Sequence, residues 1–137
     1  MLDALISLNP NAETKPFWDF CAKRELRFQK CDGCGAFRFP PLTGCRHCGA
    51  TEAEWVRVSG RGRVFSYTIA VNPALPNLRD DVPYNVVVVE FDDAPGARLV
   101  SNVLDVAPED VHVGMEVDLV FDEPKPGVVL PRFRRAR

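Results

Sequence analysis

Cys31-Asp32-Gly33-Cys34 and Cys45-Arg46-His47-Cys48 decide how this chain is read. Each C-x-x-C pair can turn both sulfurs toward one point. Two such knuckles facing each other make a tetrahedral S₄ cage, the geometry of a closed structural zinc site. Gly33, Gly35, Gly44 and Gly49 flank the sulfurs, where the backbone must bend sharply toward a metal. Iron suits the same four thiolates, and redox disulfides are a third reading of the pairs. A closed S₄ site leaves no open coordination position, so this part of the chain holds structure and function is sought elsewhere. His47 reads as a solvated tip residue, and Cys21, outside the spacing, as a small buried hydrophobe.

The surrounding composition bounds what the rest can be. The chain has 137 residues, 46% of them hydrophobic, which suffices for one domain with a small appendage. A formal net charge of −2 argues against a general nucleic-acid binder. Residues 1 to 9 lack a basic n-region, and no apolar run approaches a membrane span. Thiols at metal spacing without an export signal point to a reducing cytoplasm.

Three segments are expected. Residues 1–29 form an arm and a helix. The arm carries an apolar stripe, Leu2, Leu5, Ile6 and Leu8, suited to packing on a neighbour. Thr14 is the expected N-cap and Pro16 sits in the first turn of a helix over 15–24. Phe17, Phe20, Cys21 and Arg24 recur at helical spacing, with Trp18 beside them. This aromatic face either packs on its own domain or meets a partner.

Residues 30–54 are the expected ribbon. A strand through Leu26, Phe28 and Lys30 enters the first knuckle. Ala36 to Phe39 returns, and Pro40-Pro41 stops it. The metal replaces a core too small to form, and Trp55 is expected to seal the ribbon against the strands C-terminal to it.

Residues 55–137 read as β throughout. Gly60-Arg61-Gly62 is expected to be a flexible joint before a strand over 63–71. Asn72 to Pro83 is a loop. Tyr84 to Phe91, with four consecutive valines, suits a strand buried on both faces. Strands over 98–104, 115–121 and 128–133 come next, with a short helical turn at Pro108 to Asp110. Five strands in this order fit a small Greek-key barrel of the OB type. The fold class is therefore mainly β: an N-terminal helix, a rubredoxin-like zinc ribbon, then a five-stranded OB-fold barrel. Arg132, Arg134, Arg135 and Arg137 form a basic C-terminal tail in this reading. Arginine matches phosphate through bidentate contacts, though such runs are commonly solvated.

Catalytic constellations are not evident. The chain has two histidines, and its thiols are mostly committed to metal. Asp80-Asp81 and Asp92-Asp93 fall in turns, where Asp supports backbone geometry. Gly60-Arg61-Gly62 lacks phosphate-loop spacing, and a strand rather than a helix comes after it.

Phe17-Trp18, Cys31-x-x-Cys34, Phe39-Pro40-Pro41, Cys45-x-x-Cys48, Trp55, Ser59-Gly60-Arg61-Gly62, Val64 to Thr68 and Gly114 to Val117 succeed one another in an order that resembles the DUF35 family of zinc-ribbon and OB-fold proteins. The resemblance covers roughly residues 15 to 135 and is most specific where the cysteines combine with the double proline and the Gly-x-Gly. It implies a non-catalytic accessory or scaffold subunit of an acyl-CoA thiolase, synthase, hydratase or aldolase complex. It implies one structural zinc on Cys31, Cys34, Cys45 and Cys48, a catalytic subunit as partner, and two copies of the chain in a bridging role. Arg132, Arg134, Phe17 and Trp18 are the candidate contacts with that partner or with CoA. The alternatives from other classes are a single-stranded nucleic-acid binder, stacking bases on Phe65 and Tyr67, and an iron electron carrier.

Overall fold

The structure, a computed structural model, describes residues 7–137. The stripe residues Leu2, Leu5 and Ile6 lie outside the described residues. Helix α1 spans Lys15–Ala22 with Pro16 in its first turn. Thr14 does not cap it as expected. Thr14 already has helical backbone angles, and Asn11 does the capping instead. The Asn11 Oδ1 accepts the Glu13 and Thr14 N–H groups at 2.9 Å, while Thr14 Oγ1 accepts the Asn11 N–H at 3.0 Å. The helix also stops two residues early. Arg24 enters the left-handed region at φ 63°, the Glu25 N–H reaches Phe20 O, and the Arg24 N–H reaches Cys21 O. That pair of bonds is a Schellman stop.

Strands β1 (Arg27–Cys31), β2 (Phe37–Arg38) and β3 (Ala53–Arg57) form a three-stranded antiparallel sheet, order β2-β1-β3. The boundary expected between residues 54 and 55 thus falls inside β3. Trp55 packs against the core shared with the later strands and also meets the helix that precedes it, with its ring 6.0 Å from Phe20.

The second sheet comprises β4 (Arg61–Ala70), β5 (Tyr84–Phe91), β6 (Arg98–Ser101), β7 (Val103–Leu104), β8 (Glu116–Lys125) and β9 (Val128–Arg135). Its order is β6-β5-β4-β8-β9-β7. The two ends are consecutive in sequence. β6 and β7 are halves of the single strand expected over 98–104, parted at Asn102. The first half pairs antiparallel with β5, the second parallel with β9. Five chain segments therefore build the barrel, as an OB-fold requires. Asn85 supports the break. It is buried, donates to Val103 O at 2.8 Å and accepts the Val103 N–H at 2.7 Å, while Asn102 donates to Asn85 O. These side-chain bonds replace ladder bonds that the broken strand lacks.

Other departures have clear causes. β5 is buried on one face only: Asn85, Val87, Val89 and Phe91 point inward, while Val86 and Val88 are half-buried on the outer surface. The basic tail is a strand. β9 continues through Arg135 because Leu119 faces Phe133 and Asp118 faces Arg134 across β8. The Gly60-Arg61-Gly62 joint is also packed rather than free. A Cβ on Gly62 would lie 2.5 Å from Val89 Cγ1 and 2.6 Å from Glu90 O, and one on Gly60 would lie 2.5 Å from Leu119 Cβ.

Ribbon and barrel share one core. Phe17, Cys21, Leu26 and Phe28 pack in the same cluster as Val64, Val89, Phe91, Met115 and Phe133. Ring centroids step from Trp18 to Phe17 (5.1 Å), Phe39 (4.7 Å), Phe28 (5.0 Å), Phe91 (5.3 Å) and Phe133 (6.0 Å). Fully burying an aromatic such as Phe28 is worth about 2–3 kcal/mol, so this ladder outweighs any surface ion pair between the two parts. Arg24 adds one such pair, 3.0 Å from Glu123, worth about 0–1 kcal/mol because both partners are exposed. Among the described residues no helix is long and apolar enough to cross a membrane.

The Gly62→Ala variant is expected to lose about 1–3 kcal/mol of stability through overpacking against β5. Urea denaturation measures this, and an unchanged midpoint would show that the strand crossing is looser than described.

Candidate functional site: a thiolate cage beside an apolar groove

The two knuckles are built alike. The Gly33 N–H points at Cys31 Sγ at 3.3 Å, and the His47 N–H points at Cys45 Sγ at 3.4 Å. The Gly35 N–H returns to Cys31 O and the Gly49 N–H to Cys45 O. Both glycines have φ near +80°, at +77° and +79°, where a side chain would be strained. Cys31 N–H bonds Ala36 O, and Cys45 N–H bonds Ala50 O, closing each turn. Gly33 is close-packed: a Cβ there would sit 3.1 Å from both Cys48 Sγ and Ala50 Cβ.

The four sulfurs lie within 4.8 Å of one another. Cys31 and Cys48 are 3.5 Å apart, Cys34 and Cys45 3.6 Å. A Zn–S bond of about 2.3 Å requires a tetrahedral edge of about 3.8 Å, so the donors fit the ion. All five cysteines are free thiols, and the sulfur separations far exceed a disulfide bond of about 2.05 Å. Electrostatics agree with a bound cation. The N–H groups of Cys48 and His47 hold the Cys45 thiol down at about 6, and the Cys34 N–H lowers that of Cys31. The Ala50 N–H favours the Cys48 thiolate, but the Cys31 sulfur, burial and the remaining sulfurs push that thiol up to about 11. Four thiolates so close together are mutually destabilising until a dication joins them. Cys21 is fully buried, and desolvation raises its thiol to about 12, which makes it inert.

Between the knuckles runs the segment that carries Phe39, Pro40 and Pro41. Gln29 Oε1 holds it by accepting both Arg38 Nε (3.1 Å) and the Leu42 N–H (3.0 Å). Phe39, Pro40 and Pro41 form one wall of a groove of about 580 Å³. Phe17 and Trp18 of α1, Val88 of β5, Leu99 and Val100 of β6, and Leu130 and Pro131 of β9 complete its apolar lining. The uncharged polar side chains Thr14, Ser101 and Asn102 along it are already engaged. Ser101 Oγ donates to Pro131 O at 2.7 Å, Asn102 donates to Asn85 O, and Thr14 Oγ1 accepts the Asn11 N–H.

Three of the four residues singled out for partner or CoA contact meet in this groove: Phe17, Trp18 and Arg132. Arg134 lies outside it, exposed and 3.4 Å from Asp105. Arg132 is only 4% exposed, and its guanidinium is paired with Asp122. The two arginines therefore do not form a joint phosphate clamp. Sequence reasoning missed Val88, Arg98, Val100, Leu130 and Pro131. Pro131 carried a usable signal, since a proline in a strand marks an edge or an irregularity.

Known proteins share this fold and cage. A family model described as the ChsH2 rubredoxin-like zinc ribbon domain matches residues 18–54, and one described as the ChsH2 C-terminal OB-fold domain matches residues 55–122. A DUF35 domain-containing scaffold protein of Methanothermobacter thermautotrophicus is 33% identical over 128 residues, covering 89% of this chain and 94% of that protein. This chain belongs to the DUF35 family. A probable enoyl-CoA hydratase alpha subunit of Thermomonospora curvata is 40% identical over 121 residues, 88% of the DUF35 chain. The DUF35 chain spans 37% of that relative's length. A solved chain of the Ltp2-ChsH2(DUF35) aldolase superposes with a TM-score of 0.84 at 34% identity, covering 96% of this chain and 100% of that one. Zinc and iron share the S₄ geometry, and the matched ribbon model selects zinc. The cofactor is one structural zinc ion.

Replacing Cys34 with Ser is expected to abolish stoichiometric zinc and to shift tryptophan emission to the red, because Trp18 and Trp55 both pack at the ribbon seam. Cys21→Ala is expected to retain the metal. Elemental analysis and fluorescence decide both, and a Cys34→Ser protein with full zinc would refute the cage.

Proposed function

We propose that this chain is a non-catalytic accessory subunit that docks on a catalytic subunit of the thiolase, hydratase or aldolase kind acting on acyl-CoA, with Cys31, Cys34, Cys45 and Cys48 as ligands of its structural zinc. The observation that carries this reading is the groove. It is the size of a binding site, Phe39, Pro40 and Pro41 of the zinc ribbon line it, and its uncharged polar side chains are turned to internal partners, so it offers mainly apolar surface for docking. The names of its relatives support the same direction: DUF35 scaffold proteins, a hydratase alpha subunit and an aldolase complex.

Direct contact with CoA falls to Arg134 rather than Arg132 in this reading, because only Arg134 reaches solvent. The nucleic-acid alternative is weaker on the same surface. Arg61, Arg63, Arg132 and Arg134 lie against Asp118, Asp92, Asp122 and Asp105. Phosphate neutralisation, which dominates such binding, calls for a run of cations free of carboxylates, whereas a single CoA contact requires only that Arg134 exchange one exposed ion pair, with Asp105. Phe65, a candidate base stacker, is covered by the Arg98 guanidinium at 3.7 Å.

Affinity purification of the tagged full chain from the cells that produce it, combined with mass spectrometry and gel filtration, is expected to recover a thiolase-, hydratase- or aldolase-type subunit in stoichiometric amount. Recovery as a partnerless monomer, or thioester turnover by the isolated chain, would refute the proposal. In the assembled complex, Arg134→Ala is expected to raise the KM for the acyl-CoA substrate with kcat unchanged, and an unaltered KM would remove the CoA contact from the reading.

A further inference from the structure

The groove lies beside an unpaired strand edge. β6 ends the barrel sheet, and among the described residues its ladder runs to β5 alone. In an antiparallel pair, alternate residues direct their N–H and C=O groups away from the partner. All four residues of Arg98–Ser101 line the groove. β9 reaches this segment through the Ser101 hydroxyl on Pro131 O and the Phe133 N–H on Asn102 O, and forms a ladder with it only after the break, at Val103 and Leu104. Pro131 keeps the seam apart. It stands on β9 in the groove wall, has no N–H to donate across the gap, and its C=O is taken by Ser101 Oγ. The chain therefore does not close this edge on itself. An unpaired edge is a template for another strand.

Charge and hydrophobicity along the edge describe what would add there. The groove lining carries two arginines and no carboxylate. Arg132 is engaged by Asp122. Arg98 lies on the Phe65 ring opposite Glu90 in the β5 register, and makes no ion pair within 4 Å among the described residues. Val100 is 62% exposed and Val88 half-buried. A small polar ligand would find few side-chain partners, because Thr14, Ser101 and Asn102 are committed. A second main chain would find the edge itself, with apolar surface for its side chains.

We propose that an extended segment of the catalytic partner adds as a strand along β6, laying apolar side chains into the groove and setting a carboxylate against Arg98. Main-chain bonds supply the affinity in this mode, and the groove and Arg98 select the sequence. The inference rests on the scaffold reading above and names the way in which the partner is held.

The test uses the full zinc-loaded chain and the copurified catalytic subunit. Val100→Lys, which adds a second cation beside Arg98, and Arg98→Glu are each expected to weaken assembly at least about tenfold, as for central interface residues. Arg98→Lys, which keeps the charge, is expected to bind more tightly than Arg98→Glu. Zinc content and circular dichroism confirm that each variant is folded. Hydrogen exchange at the outward-directed amides of residues 98–101 is expected to slow in the complex. If the wild-type chain forms no complex, the scaffold reading falls and this inference with it. If a complex forms, yet Val100→Lys and Arg98→Glu bind as tightly as wild type, the inference is overturned and the scaffold reading stands. Weakened variants with unchanged exchange would also overturn strand addition, leaving docking by side chains alone.

Discussion

The aromatic packing at the junction of the two parts of this molecule depends on the segment held between two pairs of thiolates. Residues 35–44 contain one two-residue strand, Phe37–Arg38, and no helix. So short a segment cannot bury enough surface to fix itself. The cage fixes its ends, Gln29 fixes its middle, and Phe39 is thereby delivered between Phe17 and Phe28. From there the aromatic ladder runs into the barrel. Zinc binding in such a module is folding free energy, so the metal sets the position of the groove wall although it lies outside the groove.

The barrel contributes a second constraint, the break at Asn102. Continued as one regular strand, residues 98–104 would pair with either β5 or β9 along their length. Split in two, they take one partner each, and the halves part where Pro131 removes a donor. Asn85 compensates the buried main chain at the break with bonds to both the N–H and the C=O of Val103. The groove is the consequence: an opening between two strands that the helix and the double proline line but do not fill. Catalytic side chains play no part in its making, in keeping with a docking role.

Charge on this protein is arranged to be quiet. Arg61, Arg63, Arg132 and Arg134 each face a carboxylate across a strand or a turn, and the turn at Asp92 and Asp93 binds twice. Asp92 takes Arg63 in a two-pronged pair that holds its carboxyl below the ordinary range, and Asp93 accepts the Ser59 N–H at 2.7 Å. The two neighbouring carboxylates are thus a fastening between strands rather than an acid–base couple. Against that background a guanidinium lying on a phenyl ring at the lip of an apolar groove is the exception.

Much of this was legible in the residues alone. The cage could be read because thiolate spacing and glycine placement are local, and a metal imposes one geometry on them. The β character of residues 55–137 and the limits of β5 were legible because alternation and turn residues are also local signals. What only the tertiary structure decided involves residues far apart in the chain. Gly60 and Gly62 read as a hinge, and became close-packing sites because Leu119 and Val89 press against them. Arg132 and Arg134 read as a tail, and became opposite cases because the pairing of β8 and β9 buries one beside Asp122 and leaves the other exposed beside Asp105. Val88 and Val100 carried no mark of a shared site, and Pro131 marked only an irregular strand, since a groove exists only where separate strands diverge. Local chemistry is written in neighbouring residues, whereas a surface is a property of register, which the chain acquires when its distant parts pair.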